Sequence, residues 1–268
     1  FGKSITIDVG VPITWDRLEY FQKATLNKNC TNITSYDIVG ASRGLSEMLL
    51  ICQALRIGGI VPIFKFQKIN NYARLLKKVT QGEVLLMMES VWKRDADSSK
   101  VFVSDALLEV GEFEVGIYTR PGHSKLLKVR TLDGLRKYTA ITNKNWIVDW
   151  ETLESMKVKK INTSRYPLMF KMVNAQRVDF MLEAFSTLSD MSQTTKGIRL
   201  IPVPNIKIGL KGSRHILVNN NLPNAKLIFD ALQIGLKVLR KNGNITRAYK
   251  ESGFLNPKVS TWKKLCCE

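Results

Sequence analysis

The 268-residue chain reads as an α/β protein of two lobes joined by extended crossing segments, and three observations carry that reading. The first is size and composition. With 44% hydrophobic residues the chain can bury a large core and is long enough for two modest domains, while no apolar run approaches the 18 or more residues of a membrane span. The second is the stretch Gly111 to Gly122, where Phe113, Val115 and Ile117 alternate with Glu114, Gly116 and Tyr118, the period of a half-buried strand, before Arg120-Pro121-Gly122 turns the chain. The third is a repeat across that stretch. Tyr72 to Val79 has helical spacing and leads through Gly82 into the apolar run Val84 to Met88, and Tyr166 to Val173 leads in the same way into Val178 to Leu182. Tyr72/Tyr166, Lys77/Lys171, Val79/Val173, Val84/Val178, Met87/Met181 and Glu89/Glu183 are identical at an offset of 94. Both copies carry the same order of elements, so two lobes of similar construction are expected.

In chain order, Ser4 to Val9 is a short strand, followed by a mixed segment through Trp15 and Tyr20 and a loop from Asn27 to Asn32. Tyr36 to Val39 is the next expected strand. Gly40-Ala-Ser-Arg-Gly44 turns into a helix from Leu45 to Leu55, with Ser46 and Glu47 as capping residues. Such a turn either presents free amides to an anion beside Arg43 or is an ordinary glycine turn, and the sequence weighs these two equally. Gly58-Gly59 ends that helix and Val61 to Phe66 is a strand. After the central stretch, Thr131 caps a short helix, Tyr138 to Thr142 is a strand, and Trp146 to Ser155 is a helix. Val158 to Ile161 is a strand and Thr163-Ser164 is expected to cap the Tyr166 helix. Ser186 to Lys196 reads as a loop, Ile198 to Val203 as a strand, Ile206 to Val218 as the second crossing, and Ala225 to Arg240 as an amphipathic helix ended by Gly243.

The chain carries 41 basic and 23 acidic residues, a formal charge of +18. The basic residues are scattered, without aromatic interleaving or a zinc-finger or RNA-binding signature, so a solvated basic surface is expected and nucleic acid is not an expected partner. Cys30, Cys52, Cys266 and Cys267 lack metal-site spacing and only His123 and His215 could join them, so neither a metal nor a cofactor is expected. Cys52 reads as a small core residue on an apolar helix, with a Cys30–Cys52 disulfide open as an alternative; Cys266 and Cys267 fall where chain ends fray.

Tyr72-Ala-Arg-Leu-Leu-Lys-Lys-Val-Thr-Gln-Gly-Glu-Val84 with Val103-Ser-Asp-Ala106, Thr131-Leu-Asp-Gly-Leu135, Gln176-Arg-Val-Asp-Phe180, and Gly235 to Asn244 with Tyr249 together resemble a type II periplasmic solute-binding protein of family 3, the amino-acid-binding kind. The resemblance spans nearly the whole chain and rests on order and spacing rather than on one motif. It implies two α/β lobes, residues 1–114 with 211–268 and residues 115–210, two hinge strands, and a ligand cleft between lobes. It further implies a periplasmic or extracytoplasmic location, a monomer, a small-molecule ligand and a membrane permease complex as partner. The ligand motif diverges: Glu89-Ser-Val-Trp-Lys-Arg-Asp95 offers Arg94 for a ligand carboxylate without the family's threonine spacing, and Glu183 lies one position before the family's aspartate position, here Ala184.

Ligand sites in such α/β folds lie at the carboxyl ends of strands. That places Ser42, Arg43, Glu89, Ser90, Trp92 and Arg94 on one lobe, and Thr142, Asn143, Asn145, Trp146 and Glu183 on the other, as expected ligand-binding residues. The expected function is capture of a small polar solute, amino-acid-like or an amine or organic acid, for ABC-type import. A ligand-sensing or partner-binding domain of the same fold is the alternative. A lyase-type enzyme ranks last, for the sequence has no Gly-x-Ser-x-Gly elbow and no metal cluster. Glu89 and Glu183 end equivalent strands, so facing lobes would bring two carboxylates to one cleft, and a cation, either Arg43 or Arg94 or a ligand amine, would be needed between them.

Overall fold

A computed structural model describes residues 3–12, 15–26, 29–69 and 72–267. Along the chain come β1 (Lys3–Pro12), α1 (Trp15–Thr25), α2 (Arg43–Ile57), β2 (Ile60–Ile69), α3 (Tyr72–Thr80), β3 (Leu86–Met87), β4 (Val91–Trp92) and β5 (Val101–Val103). Next are β6 (Glu114–Thr119), α4 (Leu132–Leu135), β7 (Thr139–Thr142), α5 (Ile147–Ser155), β8 (Lys159–Asn162), α6 (Tyr166–Asn174), β9 (Met181–Ala184), β10 (Gln193–Thr195), β11 (Ile198–Pro202) and β12 (Ile206–Gly209). The chain closes with β13 (Arg214–His215), β14 (Leu217–Asn219), α7 (Ala225–Lys241), α8 (Asn244–Glu251) and β15 (Lys263–Lys264). No helix among the described residues is long and apolar enough to cross a membrane. The chain divides into two units, Phe1–Leu107 with Arg214–Leu255 and Leu108–Ser213 with Asn256–Glu268.

The first unit is built on a sheet of order β2-β1-β3-β14-β5. Ile5, Ile7 and Val9 point inward from β1 while Ser4, Thr6 and Asp8 are exposed, so the period-2 pattern sets which face is buried. Against this sheet α2 is buried along its length from Gly44 to Leu55, and α7 lies on α2. The two helices meet backbone to backbone: a Cβ added at Gly235 would fall 2.0 Å from the Ala54 carbonyl oxygen, and one at Gly58 would fall 2.2 Å from that of Ala231. Any larger side chain at either position forces the helices apart.

Three expectations are corrected in this unit. Tyr36 to Val39 is irregular, because its polar groups are satisfied elsewhere: the Tyr36 amide donates to Glu251 Oε2 at 2.7 Å and its hydroxyl to Gln53 Oε1 at 2.6 Å. Cys52 is not a free core cysteine; it forms a disulfide with Cys30, tying the loop after α1 to the middle of α2. Glu47 is not a capping residue. Ser42 caps α2, accepting the Leu45 amide at 3.3 Å, which leaves Glu47 one turn further in and buried. The loop expected at Asn27 to Asn32 falls partly outside the described residues, which resume at Asn29 with a 3-10 turn at Cys30–Asn32.

The second unit holds a sheet of order β10-β11-β6-β12-β15, with β9 also pairing antiparallel to β6 so that Gly116 faces Glu183. Its core gathers Tyr118, Ile141, Met169, Phe170, Val173, Val178, Met181 and Leu200. Both copies of the repeated element are present as α3 followed by β3 and α6 followed by β9, yet β3 runs parallel to β1 whereas β9 runs antiparallel to β6. Two local expectations change. Thr163 and Ser164 do not cap α6, whose N-cap is Arg165 without a side-chain hydrogen bond. The tail, expected with the first lobe, packs on the second unit: Lys263 and Lys264 pair in parallel with Ile206 and Lys207 of β12, Lys264 Nζ reaches Glu114 Oε1 at 3.2 Å, and Cys266 and Cys267 form a disulfide rather than a frayed end.

Candidate functional site

In the first unit the polar groups collect at the N-terminus of α2 and the carboxyl end of β3. Arg43 Nη1 donates to both Glu47 oxygens, at 2.9 and 2.8 Å, and to Ser90 Oγ at 3.3 Å; Arg43 Nη2 lies 3.9 Å from Glu89 Oε2. The Ser90 amide donates to Glu47 Oε2 at 2.8 Å and its hydroxyl to Oε1 at 2.7 Å. Tyr249 of α8 donates its hydroxyl to Glu47 Oε1 at 3.0 Å. From β13, Arg214 Nε donates to Ser90 Oγ at 2.9 Å, Nη2 donates to the Ser90 carbonyl, and the guanidinium stacks 4.6 Å from the Trp92 ring centroid. Burial alone would raise the Glu47 carboxyl, but Arg43, Arg214 and the Ser90 donors outweigh it and leave Glu47 below the usual carboxylate range. Arg214 moves the other way, pushed down to about 10 by burial and by the charge of Arg43.

Ser42, Arg43, Glu89, Ser90 and Trp92 are thus brought to one face, whereas Arg94 is exposed on the one-turn helix Lys93–Asp95. The guanidinium beside Ser90 and Trp92 belongs to Arg214. No sequence signal points to it, since Arg214 sits 122 residues from Trp92 and is placed by the antiparallel pairing of β13 with β4. Glu47 and Tyr249 were also missed as site members; a carboxylate one turn after the cap of an otherwise apolar helix was the available clue for the first.

In the second unit, Thr142 ends β7 with its side chain buried, and the following turn is closed by the Asn145 amide donating to Asn143 Oδ1 at 2.9 Å. Asn145 itself is exposed. Trp146 is the N-cap residue of α5, 37% exposed, with its ring 6.2 Å from that of Tyr166. Tyr166 donates its hydroxyl to Glu183 Oε2 at 2.7 Å, and Glu183 Oε1 accepts the Ala184 amide at 3.0 Å. Asp149, in the first turn of α5, is the second carboxylate here. Burial, and then the charge of Glu183, pushes its carboxyl up to about 7, and burial raises Glu183 as well despite the Tyr166 and Ala184 donors. Among the described residues no lysine or arginine pairs with either one. Asp149 was legible only as a polar residue of a helix; that the charge of Glu183 reaches it is decided by the tertiary structure.

No protein-family model matches the chain, and no curated protein is similar to it at a significant level. Solved structures are similar over nearly its whole length. The probable amino-acid ABC transporter extracellular-binding protein YtmK from Bacillus subtilis matches at 12% identity and TM-score 0.56, covering 92% of this chain and 97% of that one. The periplasmic VFT2 domain of Bordetella pertussis BvgS matches at 12% identity and TM-score 0.56, covering 91% and 93%. Substrate binding domain 2 of Lactococcus lactis GlnP, in its open conformation, matches at 12% identity and TM-score 0.52, covering 92% and 94%. The chain has the type II periplasmic-binding-protein fold. In a periplasmic-binding-protein fold the strand ends and the helix N-termini that follow them are where polar groups can face a ligand without breaking the core. Ser42, Ser90, Thr142 and Glu183 each stand at such a terminus, on the two units separately.

Proposed function

We propose that the protein is an extracytoplasmic solute-binding protein whose ligand carries a cationic group. The observation that carries this reading is the contrast between the two units. In the first, the buried carboxylate Glu47 is neutralised by Arg43 and Arg214. In the second, burial raises both Glu183 and Asp149 and the charge of Glu183 raises Asp149 further; the Tyr166 hydroxyl is on Glu183, the Trp146 ring lies against that of Tyr166, and no basic side chain is paired to either carboxylate among the described residues. A ligand amine would fill that role through charge-assisted hydrogen bonds and cation–π contact. Thr142, Asn143 and Asn145 supply amide and hydroxyl partners in the same unit; Ser42, Arg43, Ser90 and Trp92, with Arg214, form the group on the other. Glu89 belongs to that group beside Arg43, while Arg94 lies apart on its exposed turn.

The likeness to YtmK, a probable amino-acid ABC transporter extracellular-binding protein, supports delivery of the captured solute to a membrane permease complex, and we take the protein to act as a monomer. The Cys30–Cys52 disulfide fits an oxidising, extracytoplasmic compartment. A sensing domain is the second reading. It is favoured by the likeness to the BvgS periplasmic region, of which this chain matches only 44%, as one module of a longer assembly.

Native mass spectrometry of the purified protein identifies the copurified solute, and isothermal titration then compares wild type with Glu183→Gln. Loss of one charge-assisted hydrogen bond, roughly 1.5–3 kcal/mol, weakens an amine ligand by about tenfold or more. A solute without a cationic group, or equal affinity in the two proteins, refutes the reading.

A further inference from the structure

One group of basic side chains surrounds a recess that the amine site leaves unused. Ser164, Arg165, Tyr166, Lys171 and Lys196 line a cavity of about 470 Å³ in the second unit, between the first turn of α6 and the β10–β11 hairpin. Its lining contains three cationic side chains and no carboxylate, and among the described residues none of the three has an ion-pair partner. All three residues are exposed, on backbone positions set by local structure. Lys196 and Gly197 form the two-residue loop of the hairpin, both at positive φ (49° and 77°), the pattern of a tight turn matching strand twist. Lys171 sits one turn beyond Pro167 on α6, and Arg165 is the N-cap residue of that helix, whose first turn has no side-chain cap. Three like charges facing one recess repel, and the arrangement is relieved by an anion carrying about two negative charges. The positive end of α6 acts in the same direction.

We propose that this cavity binds a tetrahedral oxyanion of charge near −2, a phosphate-type group, with Lys171, Lys196 and Arg165 as its counter-charges and the Ser164 hydroxyl as a further donor. Lysines suit a tetrahedral dianion as point charges from separate directions, where a planar carboxylate is better matched by one guanidinium fork. Tyr166 contributes to the cavity wall while its hydroxyl is on Glu183, so the same site could take a free anion or the anionic end of a solute whose amine lies at Glu183. Only this second source rests on the function proposed above.

The test is an amide chemical-shift titration of the isotope-labelled protein with phosphate, sulfate and acetate at matched, low ionic strength and pH 8. Phosphate and sulfate are expected to move the amides of residues 164–171 and 195–197, and Lys171→Gln with Lys196→Gln to weaken phosphate at least tenfold. Equal shifts with acetate, shifts confined to other residues, or unchanged affinity in the double variant overturn the proposal. Phosphoethanolamine separates the two sources. If it binds no more tightly than phosphate, the site takes free anions; if it binds more tightly and the gain disappears in Glu183→Gln, the cavity holds the anionic end of the solute. Phosphate binding that survives Glu183→Gln while no amine ligand is found leaves this cavity standing and sinks the amine reading alone.

Discussion

Replacing Asp149 by Asn removes a carboxyl that the fold holds against its own preference, and the consequence for stability has a definite sign. In the folded protein this group titrates near 7 against an ordinary value of 3.8, because burial and the charge of Glu183 disfavour its ionised form. The folded state therefore binds more protons than the unfolded one between those values, and stability falls as pH rises from about 4 to about 7. At about 1.4 kcal/mol per pH unit, the gap sets a ceiling of about 4 kcal/mol at pH 8. Asp149 keeps part of its surface in water, and relaxation around the charge lowers the cost further, so about 2 kcal/mol is the working figure. Asn has the same shape and no charge to desolvate. The variant without ligand should melt several degrees above wild type at pH 8, at roughly 2–4 °C per kcal/mol for a protein of this size. The advantage should shrink to less than half at pH 5, where the wild-type group is protonated in the folded state. Differential scanning calorimetry from pH 5 to 8 measures this directly. A gap that does not change with pH, or a variant that melts below wild type at pH 8, refutes the assignment. With an amine ligand present the order should reverse, since the cation then needs the ionised carboxylate.

The remaining expectations concern stability in the two units. Glu47→Gln removes the anion between Arg43 and Arg214 and should cost about 3–5 kcal/mol in denaturant titration at pH 7. Because the folded Glu47 lies below its ordinary value, its contribution is present at neutral pH and fades as the solution is acidified, so the deficit of the variant should narrow at low pH. Cys30→Ser with Cys52→Ser opens a disulfide spanning 22 residues and should cost about 3 kcal/mol, read as a lower melting temperature with the Cys266–Cys267 disulfide left in place. Gly235→Val drives a side chain into the Ala54 carbonyl and should destabilise strongly, whereas a change at Gly122, where added atoms meet open space, should be nearly silent in the same melt.

What the sequence determined by itself was the local order of the chain. Period-2 alternation in β1 and β6, the 3.6-residue spacing of α3, α6 and α7, and glycines at helix ends were enough to place most elements, because each signal arises from residues adjacent in the chain. The repeat at Tyr72 and Tyr166 was legible for the same reason. Side-chain partnerships at the site were not. Arg214 reaches Trp92 through strand pairing, the charge of Glu183 reaches Asp149 through the tertiary structure, and Lys196 joins Lys171 through a hairpin that the sequence presented as a loop. Tyr36 to Val39 has the composition of a strand, yet long-range partners on α2 and α8 satisfied its polar groups first. The tail went to the second unit because β12 offered it an unpaired edge. Backbone periodicity is encoded by near neighbours, whereas which charges meet is decided by contacts between segments far apart in the chain, and only the tertiary structure supplies those.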